Sequence, residues 1–267
     1  MKLRPIAGVV LRQLYLMRGS PVRVVPMVIW GAVDIVLWGF ITRYLNAVSG
    51  SGVNFLPMLL GAVLLWDFCT RMMQGVSTAF LEDVWSRNFL NLFSSPLSVS
   101  EYVSGLVVTS VMTSFFGLLV MLLLAGGLFH LQLLSMGPAL AAFIFLLSLF
   151  GITIGIVASA MVLRLGPASE WLLWPIPALM SPFVAVFYPL RVLPRWMQEV
   201  ALALPPSYVF EGMRNLLLGR SFALASLAQG TAVGLLQLLA AAYFYGHTYR
   251  RAVRTGLIAR YSAEGPA

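Results

Sequence analysis

Apolar residues run along this chain in long blocks, and polar residues are confined to short intervals between them. A helix needs ~20 mostly apolar residues to cross the hydrocarbon of a bilayer, where its backbone groups can only be satisfied internally. Blocks of that length lie at Pro21–Ile41, Phe55–Val76, Tyr102–Phe129, Gly137–Val162, Trp171–Tyr188 and Ser226–Tyr245. The pattern predicts an all-α polytopic membrane protein of six transmembrane helices, a single domain over residues 1–267. Spans one to five fill 21–188, the sixth fills 226–247, and 248–267 forms a tail. Pro175, Pro177 and Pro182 fall in the fifth block, so a helix there must kink or break.

Three intervals carry a periodicity of their own. In residues 1–20, Leu3, Ile6, Val10, Leu14 and Met17 recur at helical spacing, with Arg4, Arg12 and Arg18 on the other side. This predicts an amphipathic helix lying in the membrane interface. In Glu82–Phe93, Val84, Trp85, Phe89, Leu92 and Phe93 share one helical face, with Arg87, Asn88 and Asn91 opposite. Glu82 and Asp83 would open that helix, where acids complement the dipole, and Ser95-Pro96 would end it. Such an element is either a handle for a partner protein or a plain connector.

The third interval, 189–225, is too apolar for a water-exposed loop and too interrupted for a span. Pro194 opens one short helix (Trp196, Met197, Val200, Leu204), Pro205 and Pro206 close it, and Ser207 caps a second helix ending near Gly219. Two short re-entrant helices packed against protein are expected, forming a lid or a gate.

Composition agrees with the block pattern. The chain is 60% hydrophobic and 10% charged, whereas a soluble domain carries about 25% charged residues to solvate its surface. The net charge of +8 would suit nucleic acid in a soluble protein. Here the basic residues cluster beside apolar blocks, which suits anionic membrane lipid and argues against nucleic acid. With the N-terminus inside, Lys2, Arg4, Arg12, Arg18, Arg23, Arg87, Arg164, Arg250, Arg251, Arg254 and Arg260 face the cytoplasm. Arg43, Arg191, Arg195, Arg214 and Arg220 face outward. That bias predicts an inner-membrane protein with both termini cytoplasmic. Cys69 is the only cysteine, so neither an intrachain disulfide nor a cysteine metal cluster can form, and the first twenty residues do not read as a cleaved signal peptide.

Ionisable residues inside the blocks are functional candidates, because each is costly in hydrocarbon unless paired or wetted. Asp67 and Arg71 are spaced i,i+4 and can neutralise each other. Asp34 has no partner in its own helix, and either reaches Arg71 across helices or lines a polar route. Glu211 and Arg214, spaced i,i+3, form a candidate pair in the outer helices. His130 and His247 fall at opposite membrane faces, so no metal site joins them. Lys2 is the only lysine, which excludes a Walker A loop within the chain. No GxSxG or HExxH motif occurs, and neither enzyme activity nor a bound cofactor is expected in this chain.

With the segment FLEDVWSRNFLNLFSSPLSVSEY from Phe80, the stretch LPPSYVFEGMRNLLLG from Leu204 and the leading helix, the chain resembles the permease subunits of type-2 ABC transporters, along essentially its whole length. It looks closer to the drug and lipo-oligosaccharide exporters than to the O-antigen branch. The resemblance implies a six-span permease that dimerises, with a homodimer expected, and that works with two copies of an ATP-binding subunit carrying the ATP and Mg. It implies that Leu3–Arg18 and Glu82–Phe93 receive the ATPase motion, and that the two outer helices form the external gate. Two other classes remain open from the residues alone. One is an ion-coupled secondary transporter using Asp34, Asp67 and Arg71; the other is a membrane assembly factor that transports nothing. The inverted pattern of broken helices common in secondary transporters is missing from the first half.

Overall fold

The computed structural model describes residues 2–49, 54–86, 96–166, 171, 173–220 and 223–256. Among them the order is α1 (Leu3–Arg18), α2 (Pro21–Ser49), α3 (Leu56–Trp85), α4 (Val99–Phe129), a 3-10 turn (Leu133–Met136), α5 (Pro138–Leu165), α6 (Pro175–Met180), a second 3-10 turn (Leu190–Val192), α7 (Arg195–Leu202), α8 (Pro205–Leu217) and α9 (Leu224–Arg254). No strand occurs among the described residues.

Five helices, α2, α3, α4, α5 and α9, are long and apolar enough to cross a membrane. All five outrun the predicted blocks, since a helix does not stop where hydropathy falls. Helix α3 continues past Val76 to Trp85, and α9 past Tyr245 to Arg254. The fifth predicted span, Trp171–Tyr188, is not a continuous helix. Its helical part is the six-residue α6, headed by Pro175, and turns and bends follow from Ser181 to Tyr188. The three prolines account for the break, because each removes a backbone donor and crowds the preceding turn. The segment still runs the length of the bundle. Leu173 lies beside Ser77 and Leu81, Met180 beside Trp66 and Cys69, and Phe187 stacks on Trp38 with ring centroids 4.8 Å apart.

Helices α3 and α5 form the centre, with 56% of each apolar window buried, against 19% for α2 and 17% for α9. The outward faces of α2 and α9 are apolar, including Trp30, Phe40, Leu236 and Leu239, and lipid is the solvent they suit. Two glycines set the α3–α5 contact. A Cβ on Gly151 would sit 2.6 Å from Met72 Cβ and 2.7 Å from the Cys69 carbonyl oxygen. One on Gly155 would sit 2.9 Å from the Met73 carbonyl oxygen. The pair forms a Gly-x-x-x-Gly step, which lets membrane helices approach backbone to backbone. Gly151→Ala should therefore lower stability by about 1–3 kcal/mol, the range for overpacking a tight contact. Thermal unfolding in detergent reads the loss; an unchanged midpoint would mean the helices can part without cost.

Two apolar clusters divide the bundle along its length. One, with Val9, Phe80, Tyr102, Tyr245 and Ala252, lies at the end carrying α1 and the end of α9, here the terminal end. The other, with Leu64, Phe143, Val186 and Phe210, fills the middle and the distal end.

Candidate functional site

At the terminal end α1 is latched to the bundle. Val9 packs where a Cβ on Gly105 of α4 would approach to 2.6 Å, so this glycine admits α1. Arg12 then donates two hydrogen bonds to Asp83, Nη1 to Oδ2 at 3.0 Å and Nη2 to Oδ1. Tyr102 Oη donates to the same Oδ2 at 2.7 Å, tying α4 into the contact. The carboxylate is buried and Arg12 about a quarter exposed, with side-chain exposures of 2% and 27%. The hydrogen bond to Asp83 raises Arg12 above the ordinary arginine pKa, against the opposing effect of burial. Beside it, Arg23 of α2 pairs with Glu82 at 2.6 Å. Ser98 and Glu101 form a capping box at the start of α4, and the Lys2 backbone N–H donates to Glu101 Oε1 at 2.7 Å. Four helices thus meet through one polar cluster.

This arrangement corrects two expectations. The inward face of α1 centres on Val9 and Gln13, while Leu3 is exposed and Arg12 turns inward. The helix is rotated from the apolar-period reading because Gly105 and Asp83 select the face that docks. Glu82, Asp83 and Trp85 do not begin a separate helix. They form the last turn of α3, where the dipole disfavours acids, and the two arginines supply the compensation. Trp85 is half exposed there. Arg87, Phe89, Leu92 and Phe93 lie outside the described residues.

In the middle of the bundle Asp67 and Arg71 form the i,i+4 ion pair that their spacing suggests. The guanidinium lies between α2 and α4, in room left by two glycines. A Cβ on Gly31 would stand 3.0 Å from Arg71 Nη2, and one on Gly117 3.1 Å from Arg71 Cδ. Asp34, one turn beyond Gly31, is half-buried and within electrostatic reach of Asp67 and Arg71. It makes no ion pair or hydrogen bond among the described residues, so the direct cross-helix bridge to Arg71 is not formed.

At the distal end Pro205 and Pro206 occupy the first positions of α8, with Leu204 as N-cap, and do not merely close α7. Ser207 is no cap: its hydroxyl donates back to the carbonyls of Ala201, at 2.6 Å, and Leu204, fixing the α7–α8 corner. Arg214 is buried and donates to the carbonyls of Ala185 at 2.9 Å and Val186 at 3.1 Å. Its contact with Glu211 is longer, 3.4 Å, and Glu211 Oε1 also accepts the Leu190 N–H at 2.6 Å. Burial lowers the Arg214 pKa from its ordinary value, opposed by Glu211. Ala185 has φ +52°, a left-handed conformation rare for a residue with a Cβ, and Arg214 holds the turn at that point. The sequence suggested the Glu211–Arg214 pair but not these carbonyl partners. His130, also left-handed at φ +56°, ends α4 as an exposed cap, and His247 stacks on Tyr243. No cluster of metal-ligating side chains occurs among the described residues.

Five long apolar helices, with a proline-broken segment and two short helices clasped to its end, make a multi-pass membrane protein, and residues 11–218 match the family model of ABC-2 type transporters. The match covers well over half of the chain, which belongs to this family of ABC transporter permeases. Comparison with curated proteins gives no match.

Proposed function

We propose that the chain is the membrane-spanning subunit of an ATP-driven exporter that moves an amphiphilic, drug-like or lipid-linked molecule across the inner membrane. Energy comes from a separate ATP-binding subunit, present in two copies and carrying the ATP and Mg, and the permease works as a homodimer. Both termini face the cytoplasm, and the segment 189–225 gates the outer face. The observation that carries this reading is the latch at the terminal end. Arg12, Asp83 and Tyr102 join an interfacial helix to two long helices, so a push delivered there is passed along α3 and α4 without bending either. The basic bias of that end supports its cytoplasmic placement. The Asp67–Arg71 pair supports a structural role for these two residues over ion coupling, because their charges neutralise each other.

The test is affinity purification from native membranes, followed by an ATPase assay. An ATP-binding polypeptide should co-purify, and vanadate-sensitive hydrolysis should follow that polypeptide and vanish when it is stripped away. The sole lysine, Lys2, cannot serve a Walker A loop, so hydrolysis by the isolated chain would overturn the reading.

A further inference from the structure

At the terminal end the last turns of α5 and α9 leave a cleft of about 280 Å³ between them. Leu163 and Thr248 form its buried floor, Phe244 one wall, and Arg164, His247 and Arg251 stand exposed at its mouth. No acidic residue lines it. At this end Arg12 is neutralised by Asp83 and Arg23 by Glu82, while Arg164 and Arg251, like Arg4, Arg18, Arg250 and Arg254, make no ion pair or side-chain hydrogen bond among the described residues; of these only Arg164 and Arg251 line this cleft. The cleft also continues into an apolar track. Leu236, Leu239 and Tyr243 lie exposed along one face of α9, and Tyr243 stacks on His247 with ring centroids 6.4 Å apart.

We propose that this cleft binds the phosphate headgroup of an anionic phospholipid, with an acyl chain running along the α9 track. Guanidinium forks match phosphate oxygens in pairs, and a basic pocket between spanning helices at the membrane surface suits such headgroups. The apolar floor and track favour a molecule with a tail over a free anion. They also favour it over an acidic protein surface, which would leave the track unused. The site requires only that the chain lie in a bilayer, and is independent of what is transported.

The experiment is binding of phosphatidylglycerol to the delipidated, detergent-solubilised chain, read by native mass spectrometry, with phosphatidylcholine as the neutral control. Wild type should retain phosphatidylglycerol preferentially. Arg164→Gln with Arg251→Gln should weaken its binding roughly ten- to thirtyfold, from a factor of about five for each arginine at an anionic surface. The lysine pair Arg164→Lys with Arg251→Lys should keep most of it, and Arg18→Gln should change nothing. If the double glutamine variant is not recovered folded, each single variant should show about a fivefold loss. Wild-type binding by the glutamine variants would overturn the proposal. So would an equal loss in Arg18→Gln, which would mean diffuse attraction, or displacement by inorganic phosphate, which would mean a free-anion site. Loss of a co-purifying ATP-binding subunit with lipid binding unchanged would assign the cleft to a protein partner instead.

Discussion

Arg12→Met is expected to destabilise the protein by about 3 kcal/mol, and Asp83→Asn by only about 1 kcal/mol, although the two residues share one ion pair. The asymmetry follows from burial. Removing Arg12 leaves a carboxylate that is 2% exposed with the Tyr102 hydroxyl but no cation. Removing the charge of Asp83 leaves an arginine that is 27% exposed and can turn to water, while the asparagine oxygen still accepts a hydrogen bond. The double apolar variant Arg12→Met with Asp83→Leu should recover much of the loss, because both desolvation costs disappear together. Thermal unfolding in detergent reads the order. A second readout reports the docking of α1 itself. In a Cys69→Ser background, Val9→Cys should resist a thiol reagent when Arg12 is present and react when Arg12→Met is added, because Val9 is buried only against the docked bundle. Equal stability losses for the two single variants would mean that Asp83 is wetted and that the latch contributes little.

The second large effect is expected at Arg214. Arg214→Met strands the carbonyls of Ala185 and Val186, and should cost about 3–6 kcal/mol, since buried hydrogen bonds to charged groups contribute about 1.5–3 kcal/mol each. Arg214→Lys should restore less than half of that. A single ammonium cannot place two donors in the fork geometry that both carbonyls accept. Glu211→Gln should cost less than either, because the amide oxygen still accepts the Leu190 N–H and the Arg214–Glu211 contact is the longest of the set. Ala185→Gly in the Arg214→Met background should recover part of the loss, since glycine adopts the left-handed turn without the Cβ conflict. A fully conservative result with lysine would show that charge alone, not the fork, holds the turn.

Much of this architecture was legible in the sequence. The apolar blocks located all five long helices, the three prolines marked the broken segment, and the spacing of Asp67 and Arg71 matched a real ion pair. Two further signals were also present in the chain: Ser98-x-x-Glu101, which forms the capping box of α4, and Gly151-x-x-x-Gly155, which sets the α3–α5 contact. What was not legible depended on partners distant in sequence. The docked face of α1 is chosen by Gly105 and Asp83, far along the chain, so an apolar period read within α1 alone pointed to the wrong rotation. Asp83 looked like a helix opener because its compensating cation lies 71 residues away. Arg214 is satisfied by backbone carbonyls in a turn whose conformation no single residue announces. Hydropathy also falls after Val76, where Ser77 and Thr78 follow, and α3 was therefore expected to end nine residues before Trp85.

We propose that energy enters at the terminal end, through the last turn of α3 and the residues that follow it in sequence. Trp85 is half exposed at that point, and a large aromatic side chain with few rotamers to freeze suits an anchor in a partner's pocket. The most direct measurement is co-purification of the ATP-binding subunit with wild-type permease and with the Trp85→Ala, Phe89→Ala variant from the same membranes. Recovery of the ATP-binding subunit should fall roughly tenfold or more, as expected when two anchor residues costing about 1–2 kcal/mol each are removed, while the permease still inserts and dimerises. Equal recovery, with transport intact, would contradict the account and place the coupling surface elsewhere on the chain.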